Sequence, residues 1–172
     1  YLTVSRFVPY KRGDLTVAAF NQLGLPLVVI GDGSDWQRIK TMAGPTIRLL
    51  GKQPDEVVAD YMQRCKGFIF PAEEDFGITP VEAQAAGAPV IAFGRGGDAE
   101  TVIHGNKGDL FTEQTVASLV QAVKSFDMGM YELNRGNLRR QAEKFSIECF
   151  RTQFHECVEQ TYTGFLRGNP LE

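Results

Sequence analysis

At 172 residues, with 43% hydrophobic and 23% charged residues, the chain has the length and balance of one globular domain with its own core. A formal charge of −3 excludes a general attraction to nucleic acid or anionic lipid, so an anionic ligand would need a local group of cations. No run approaches the ~20 apolar residues of a transmembrane helix, and no signal-peptide pattern opens the sequence.

In chain order, Leu2-Thr3-Val4-Ser5 reads as a strand and residues 14–23 as a helix with Leu15, Ala18, Ala19 and Phe20 inward. Residues 25–30 form a second strand closed by Gly31-Asp32-Gly33, and Ser34 is the expected cap of a helix over 35–42. A third strand covers 46–50, with a helix from Pro54 to Cys65. A fourth strand, 67–70, stops at Pro71, and a helix follows over 79–86 with Gly87 as its end. A fifth strand over 89–93 leads to the turn Gly94-Arg95-Gly96-Gly97, and a sixth surrounds Leu110-Phe111. Helices are predicted over 113–126 and 133–145. Strands apolar on both faces, separated by helices, specify an α/β domain. It is a Rossmann-like, doubly wound parallel sheet of about six strands with helices on both faces.

That domain is assigned to residues 1–145. The rest, 146–170, reads as a long amphipathic helix with Phe150, Phe154, Val158 and Tyr162 at four-residue spacing. Two readings stand: the stripe packs on its own domain, or it crosses to a second domain. Both ends read as cut, and Leu171-Glu172 reads as a vector scar. Cys149 and Cys157 fall on the same helix, about 12 Å apart along its axis, too far to pair. With Cys65 they match no metal-ligand spacing, so free thiols in a reducing cytosol are expected.

In open α/β sheets, ligands sit beyond the carboxyl ends of the strands. Arg6 follows the first strand and Lys11 comes five residues later. Two cations at one loop suit a diphosphate, and a solvated surface pair is the plainer alternative. After the fourth strand come Glu73-Glu74-Asp75-Phe76-Gly77-Ile78-Thr79 and the start of a helix. The first N–H groups there, at Gly77, Ile78 and Thr79, would be unpaired and would favour an anion. Glu82 lies one turn into that helix, on the side expected to face the ligand. Glu74 and Glu82 could flank a ligand of polyol, phosphate and polyol, or the acids could simply complement the helix dipole. Gly31-Asp32-Gly33 is a poor dinucleotide fingerprint, because Trp36 stands where a third glycine belongs. His104 and His155 lack metal-ligand partners.

The segment from Glu74 to Glu82 resembles the Glu-x7-Glu signature of the retaining, GT-B-fold glycosyltransferases of family 4, the group 1 glycosyl transferases. Val4-Ser5-Arg6-Phe7 with Lys11, Val29-Ile30-Gly31-Asp32-Gly33, and Leu50-Gly51 resemble further parts of that family. So do Phe76-Gly77, Glu82-Ala83, Gly87, Pro89-Val90-Ile91, Gly96-Gly97, Glu100, Gly108 and Leu110-Phe111, in the same order over residues 1–125. Ser5 departs from the pattern, which usually has glycine there, and Glu73 is an extra acid.

The resemblance implies the donor-binding, C-terminal half of a GT-B fold, acting on a nucleotide diphosphate-sugar as substrate, with no cofactor. Carried over by position, Arg6 and Lys11 grip the diphosphate and Glu74 contacts the donor sugar. Phe76, Gly77, Ile78 and Thr79 supply backbone N–H groups, and Glu82 binds ribose hydroxyls. Lys52 and Gln53 lie beside the base. No strict Asp-x-Asp pair is present, so no metal requirement is expected. The implied activity is hexosyl transfer to an acceptor hydroxyl with retention, completed by an N-terminal acceptor domain of the same polypeptide. The expected location is cytoplasmic, with the full-length protein peripheral to the membrane face where relatives use lipid acceptors. A non-catalytic nucleotide-sugar-binding module and an epimerase-like domain are the alternatives.

Overall fold

The computed structural model describes residues 1–97, 101–102, 108–129 and 135–167. Six strands form one sheet: β1 (Leu2–Arg6), β2 (Leu27–Asp32), β3 (Ile47–Gly51), β4 (Phe68–Phe70), β5 (Val90–Phe93) and β6 (Gly108–Phe111). Every pairing is parallel and the order is β3-β2-β1-β4-β5-β6. Among the described residues, seven helices accompany them. They are α1 (Gly13–Leu23), α2 (Trp36–Met42), α3 (Asp55–Arg64), α4 (Ile78–Ala85), α5 (Val116–Asp127), α6 (Arg135–Glu143) and α7 (Ile147–Leu166). A short 3-10 turn, Pro9–Lys11, joins β1 to α1. The expected doubly wound α/β architecture is the one found.

The alternation of side chains along each strand builds two apolar layers. Leu27, Val29, Ile69 and Ile91 face α1 and α5, packing with Leu15, Phe20, Leu119 and Val123. Leu2, Ile30, Phe68, Phe70, Val90 and Ala92 point the other way, toward Met62 of α3 and Ala83 of α4. The order of the strands places the site. Chain order runs outward in both directions from the neighbours β1 and β4, so the loops leaving these two strands diverge and open a crevice between them. Those loops carry Lys11 and Glu74.

Several boundaries differ from the sequence expectations. Ser34 does not cap α2; the N-cap is Asp35, with no side-chain cap bond. The Asp35 N–H is instead drawn to the Phe7 carbonyl at 2.9 Å, so a tertiary contact fixes the entry to the helix. β2 starts at Leu27, after Pro26, which has no N–H to give the ladder. α4 starts one residue early, at Ile78, from an N-cap Gly77 at φ 76°. α5 starts at Val116 because the Thr115 hydroxyl accepts the Ser118 N–H at 3.2 Å. Glu100, His104 and residues 171–172 lie outside the described residues.

The C-terminal helix stands clear of the sheet. α7 has no buried residue, and Phe150, Phe154, Val158 and Tyr162 are 63, 59, 48 and 59% exposed. Its stripe therefore does not pack on its own sheet. Cys149 and Cys157 both lie on this helix as free thiols, and Cys65 is free and buried.

Candidate functional site

Arg6 ends β1, exposed, and the buried Phe7 turns the chain into the 3-10 turn that delivers Lys11. From β4, Pro71 leads through residues 72–76 to Gly77 and α4. The two loops meet where the Lys11 ammonium forms an ion pair with the Glu74 carboxylate. Lys11 Nζ also stands 5.3 Å from the ring centre of Tyr10 and 5.8 Å from that of Phe70. These aromatic faces give the cation a second source of attraction. Between the loops lies a cleft of about 480 Å³, lined by Tyr10, Lys11 and residues 73–79.

Glu74 is held by backbone, not only by charge. It pairs with Gly96 in an isolated parallel bridge, and Gly97 N–H donates to the Glu74 carbonyl at 2.7 Å. The glycine-rich turn after β5 is therefore a brace for the acidic loop, while Arg95 leaves it to sit 5.8 Å over the Phe93 ring. No side chain caps α4, so the positive end of its dipole is presented at Gly77, Ile78 and Thr79, all of which line the cleft. Phe76 closes one side and meets Phe145 edge-to-face, ring centres 5.3 Å apart.

The structure thus brings Lys11, Glu74, Phe76, Gly77, Ile78 and Thr79 into one cleft. It sets Arg6, Glu82, Lys52 and Gln53 outside that lining. Glu82 faces a separate groove of about 420 Å³ between α3 and α4, with Asp55 opposite. The first turn of α4 divides the two spaces. That differs from the expectation that Glu82 faces the same mouth as Glu74. The physical reason is helical rise: Glu82 follows Ile78 by one full turn on the same face of α4, so it stands about 6 Å farther from the helix N-terminus and lines the next depression. Gln53 Nε2 donates to the Leu50 carbonyl at 2.8 Å, folding the β3–α3 turn, and Lys52 is exposed beside it. Because Asp55 begins α3, Glu82 lies on the same flank as that turn.

Loss of surrounding water, and then the like charge of Asp55, raise the Glu82 carboxyl above the ordinary glutamate value. In the window between its unfolded and its raised folded value, the folded chain binds more protons, so stability falls as pH rises through that window. Glu82→Gln is expected to remove this slope. Comparing thermal melts of the two chains across the acidic range checks it, and parallel curves would overturn it.

Tyr10 and the bracing role of Gly96-Gly97 were not legible in advance. An aromatic beside a lysine in a loop carries no distinctive spacing, and the brace depends on which strand neighbours which. Among the described residues no group of three or more His, Cys, Asp or Glu is placed to hold a metal ion, and no helix is long and apolar enough to cross a membrane.

The description of the glycosyl transferases group 1 family matches residues 1–144, most of the chain. The chain belongs to this family. An uncharacterized glycosyltransferase of Methanocaldococcus jannaschii is 35% identical over 112 residues, covering 62% of this chain and 32% of the relative. The α-1,3/1,6-mannosyltransferase ALG2 of Dictyostelium discoideum is 33% identical over 92 residues, 52% of this chain and 22% of that one. Among solved structures, Anabaena HepE in complex with UDP-glucose superposes with a TM-score of 0.79 at 23% identity, covering 93% of this chain and 49% of its own. Sucrose-phosphate synthase from Thermosynechococcus elongatus gives 0.82 at 25%, covering 95% and 46%. The group 1 domain thus spans about a third or less of these curated relatives, and about half of the superposed chains.

Proposed function

We propose that this domain binds the donor of a family 4 glycosyltransferase, which moves a hexosyl group from a nucleotide diphosphate-sugar to an acceptor hydroxyl with retention of configuration. The observation that carries the proposal is the convergence of Lys11, Glu74 and the uncapped N-terminus of α4 on one cleft at the carboxyl edge of the sheet. Anionic phosphate suits a helix N-terminus and a lysine, and a carboxylate between them suits sugar hydroxyls.

In this reading the diphosphate lies between Lys11 and α4, with Arg6 swinging in from the tip of β1. Glu74, with the N–H groups from Phe76 to Thr79, holds the donor sugar. Glu82 accepts ribose hydroxyls, and the backbone at Lys52 and Gln53 lies beside the base. The grouping of Glu82 with the start of α3 supports that ribose-to-base order. The bond from the anomeric carbon to the diphosphate oxygen breaks, and its electron pair leaves with the diphosphate. Lys11 and Arg6 stabilise the charge that develops there. The acceptor oxygen attacks from the face the diphosphate leaves, and its proton passes to a diphosphate oxygen. Cations and helix dipole stand in for a metal's charge, so transfer proceeds without one.

An N-terminal domain of the same polypeptide would supply the acceptor site and cover the stripe on α7. Two aspartates, from Phe150→Asp and Phe154→Asp, should then leave the melting of this chain within about 0.5 kcal/mol, as for other exposed sites. The same pair should abolish transfer by the full-length protein. A marked loss of stability in the 172-residue chain itself would sink the docking role.

The test of the donor reading is calorimetric titration with UDP, GDP, ADP and their common sugar conjugates, repeated on Arg6→Ala and Glu82→Ala. Selective binding of one base, lost or much weakened in both variants, is expected. Binding of none by a folded full-length protein would remove the reading.

A further inference from the structure

Beneath the Lys11–Glu74 pair, a chain of side-chain hydrogen bonds ties the two loops together. Gln114, in the β6–α5 loop, donates from Nε2 to the Pro71 carbonyl at 2.8 Å. Its Oε1 accepts from Arg12 at 3.1 Å. Arg12 Nε donates to Asp14 Oδ1 at 3.1 Å, and Asp14 Oδ2 accepts from Arg38 of α2 at 3.2 Å. The amide of Gln114 has one consistent orientation here, since a carbonyl only accepts and a guanidinium only donates.

Arg12 adopts φ 52°, the only positive φ of a non-glycine residue among the described residues. A side chain is strained in that region, and such strain persists where surrounding contacts over-determine it. The contacts are the ones just named. They hold Arg12, next in sequence to Lys11, and Pro71, three residues before Glu74. We infer that Gln114 is a positioning residue, which sets the separation of Lys11 from Glu74 by joining Arg12 to the Pro71 carbonyl. Arg12 transmits the constraint on one side and the backbone of residues 71–74 on the other. For catalysis the inference rests on the donor-binding reading. For the ion pair it stands on the geometry alone.

Gln114→Met keeps the side-chain bulk and removes both hydrogen bonds, while Gln114→Glu keeps the acceptor for Arg12 and sets a carboxylate against the Pro71 carbonyl. Two readouts separate the role from plain structural support. The first is the rate at which Lys11 is acylated by an amine-specific ester, read by mass spectrometry. It is expected to rise severalfold in Gln114→Met as the pair with Glu74 loosens, with other lysines unchanged. The second is calorimetric affinity for the diphosphate that the wild-type chain prefers among UDP, GDP and ADP, set against its monophosphate. Diphosphate affinity should fall about tenfold, the scale of one misplaced charge-assisted contact, with the monophosphate little affected. Gln114→Glu should match Gln114→Met in both, because each cuts the link to Pro71.

Unchanged Lys11 reactivity overturns the inference, whatever the nucleotides do. Equal losses for diphosphate and monophosphate, with a lowered melting temperature, also overturn it, since that pattern is general loosening. If Lys11 responds but neither the wild-type chain nor the folded full-length protein binds a nucleoside diphosphate, the brace stands and the donor reading fails. If the wild type binds and both Gln114 variants match it, the donor reading stands and the brace fails.

Discussion

Lys11→Ala should weaken binding of the preferred nucleoside diphosphate by roughly 10- to 100-fold, the ~1.5–3 kcal/mol of a hydrogen bond to a charged group. Turnover by the full-length protein should fall further, by about 10²–10³, if Lys11 also meets charge that grows on the leaving diphosphate. The substitution acts twice. It removes a cation from the cleft, and it strips Glu74 of its counter-ion, leaving a carboxylate beside the α4 N-terminus where the proposed diphosphate would enter. Glu74→Gln separates these effects, because it removes the repulsion and keeps Lys11. Diphosphate alone should then bind at least as well as to the wild type, whereas the sugar conjugate loses its advantage over the bare diphosphate. Calorimetry with matched pairs, such as UDP and UDP-glucose, reads both arms. Wild-type affinity in Lys11→Ala would take Lys11 out of the site altogether.

The ion pair bears on how the proposed donor would enter the cleft. Lys11 and Glu74 side chains are each 18% exposed, so neither is well hydrated. On the donor-binding reading, an entering diphosphate would exchange one carboxylate for phosphate oxygens at the same ammonium, and the released Glu74 would be free to accept from sugar hydroxyls. Such binding would rearrange charges already largely shielded from water, which would limit the cost of desolvation at that step.

How much of this could be read from the sequence depends on the range of the interaction. The sheet was legible because its central strands are apolar on both faces, a local property of runs such as Val28-Val29-Ile30 and Phe68-Ile69-Phe70. Lys11 and Glu74 were separately legible, through the loops they occupy and through family resemblance. Their pairing was not. They lie 63 residues apart, and they meet only because β1 and β4 are neighbours at the reversal of strand order. The misread cap at Ser34 has the same origin, for the Phe7 carbonyl competes for the turn and no local rule registers it. Gly31-Asp32-Gly33 could be recognised as a motif without its cause. A Cβ on Gly31 would lie 1.8 Å from the Ser5 carbonyl oxygen, and one on Gly33 would lie 2.2 Å from that of Phe7. These glycines let β2 leave the sheet against the backbone of β1. Glu82 marks the reverse limit: its spacing from Glu74 is plain in the sequence, but a full turn of α4 beyond Ile78 puts the two acids in different depressions.

Gly97→Ala should impair the site from a position that touches no ligand. A Cβ there would lie 2.2 Å from the Asp75 carbonyl oxygen and 2.5 Å from the Phe76 Cα, both backbone atoms that cannot rotate aside. The turn after β5 or the acidic loop must therefore shift, and the loop carries Glu74 on one side of the clash and Gly77 on the other. Overpacking of this kind costs roughly 1–3 kcal/mol. At about 2–4 °C per kcal/mol for a chain of this size, a fall in melting temperature of several degrees follows. Diphosphate affinity should drop by about tenfold or more, since both the Lys11 partner and the helix N-terminus move. Gly24→Ala is the matched control. Gly24 has φ 66°, yet nothing lies within 4 Å of its would-be Cβ, so alanine there meets strain without a clash. Its cost should be about 1–2 kcal/mol, with affinity unchanged. Similar melting losses in the two variants, with affinity lost only at position 97, would tie the β5 turn to donor binding. Wild-type affinity in Gly97→Ala would mean that the brace on Glu74 is dispensable, and that the cleft is organised from the β1 side alone.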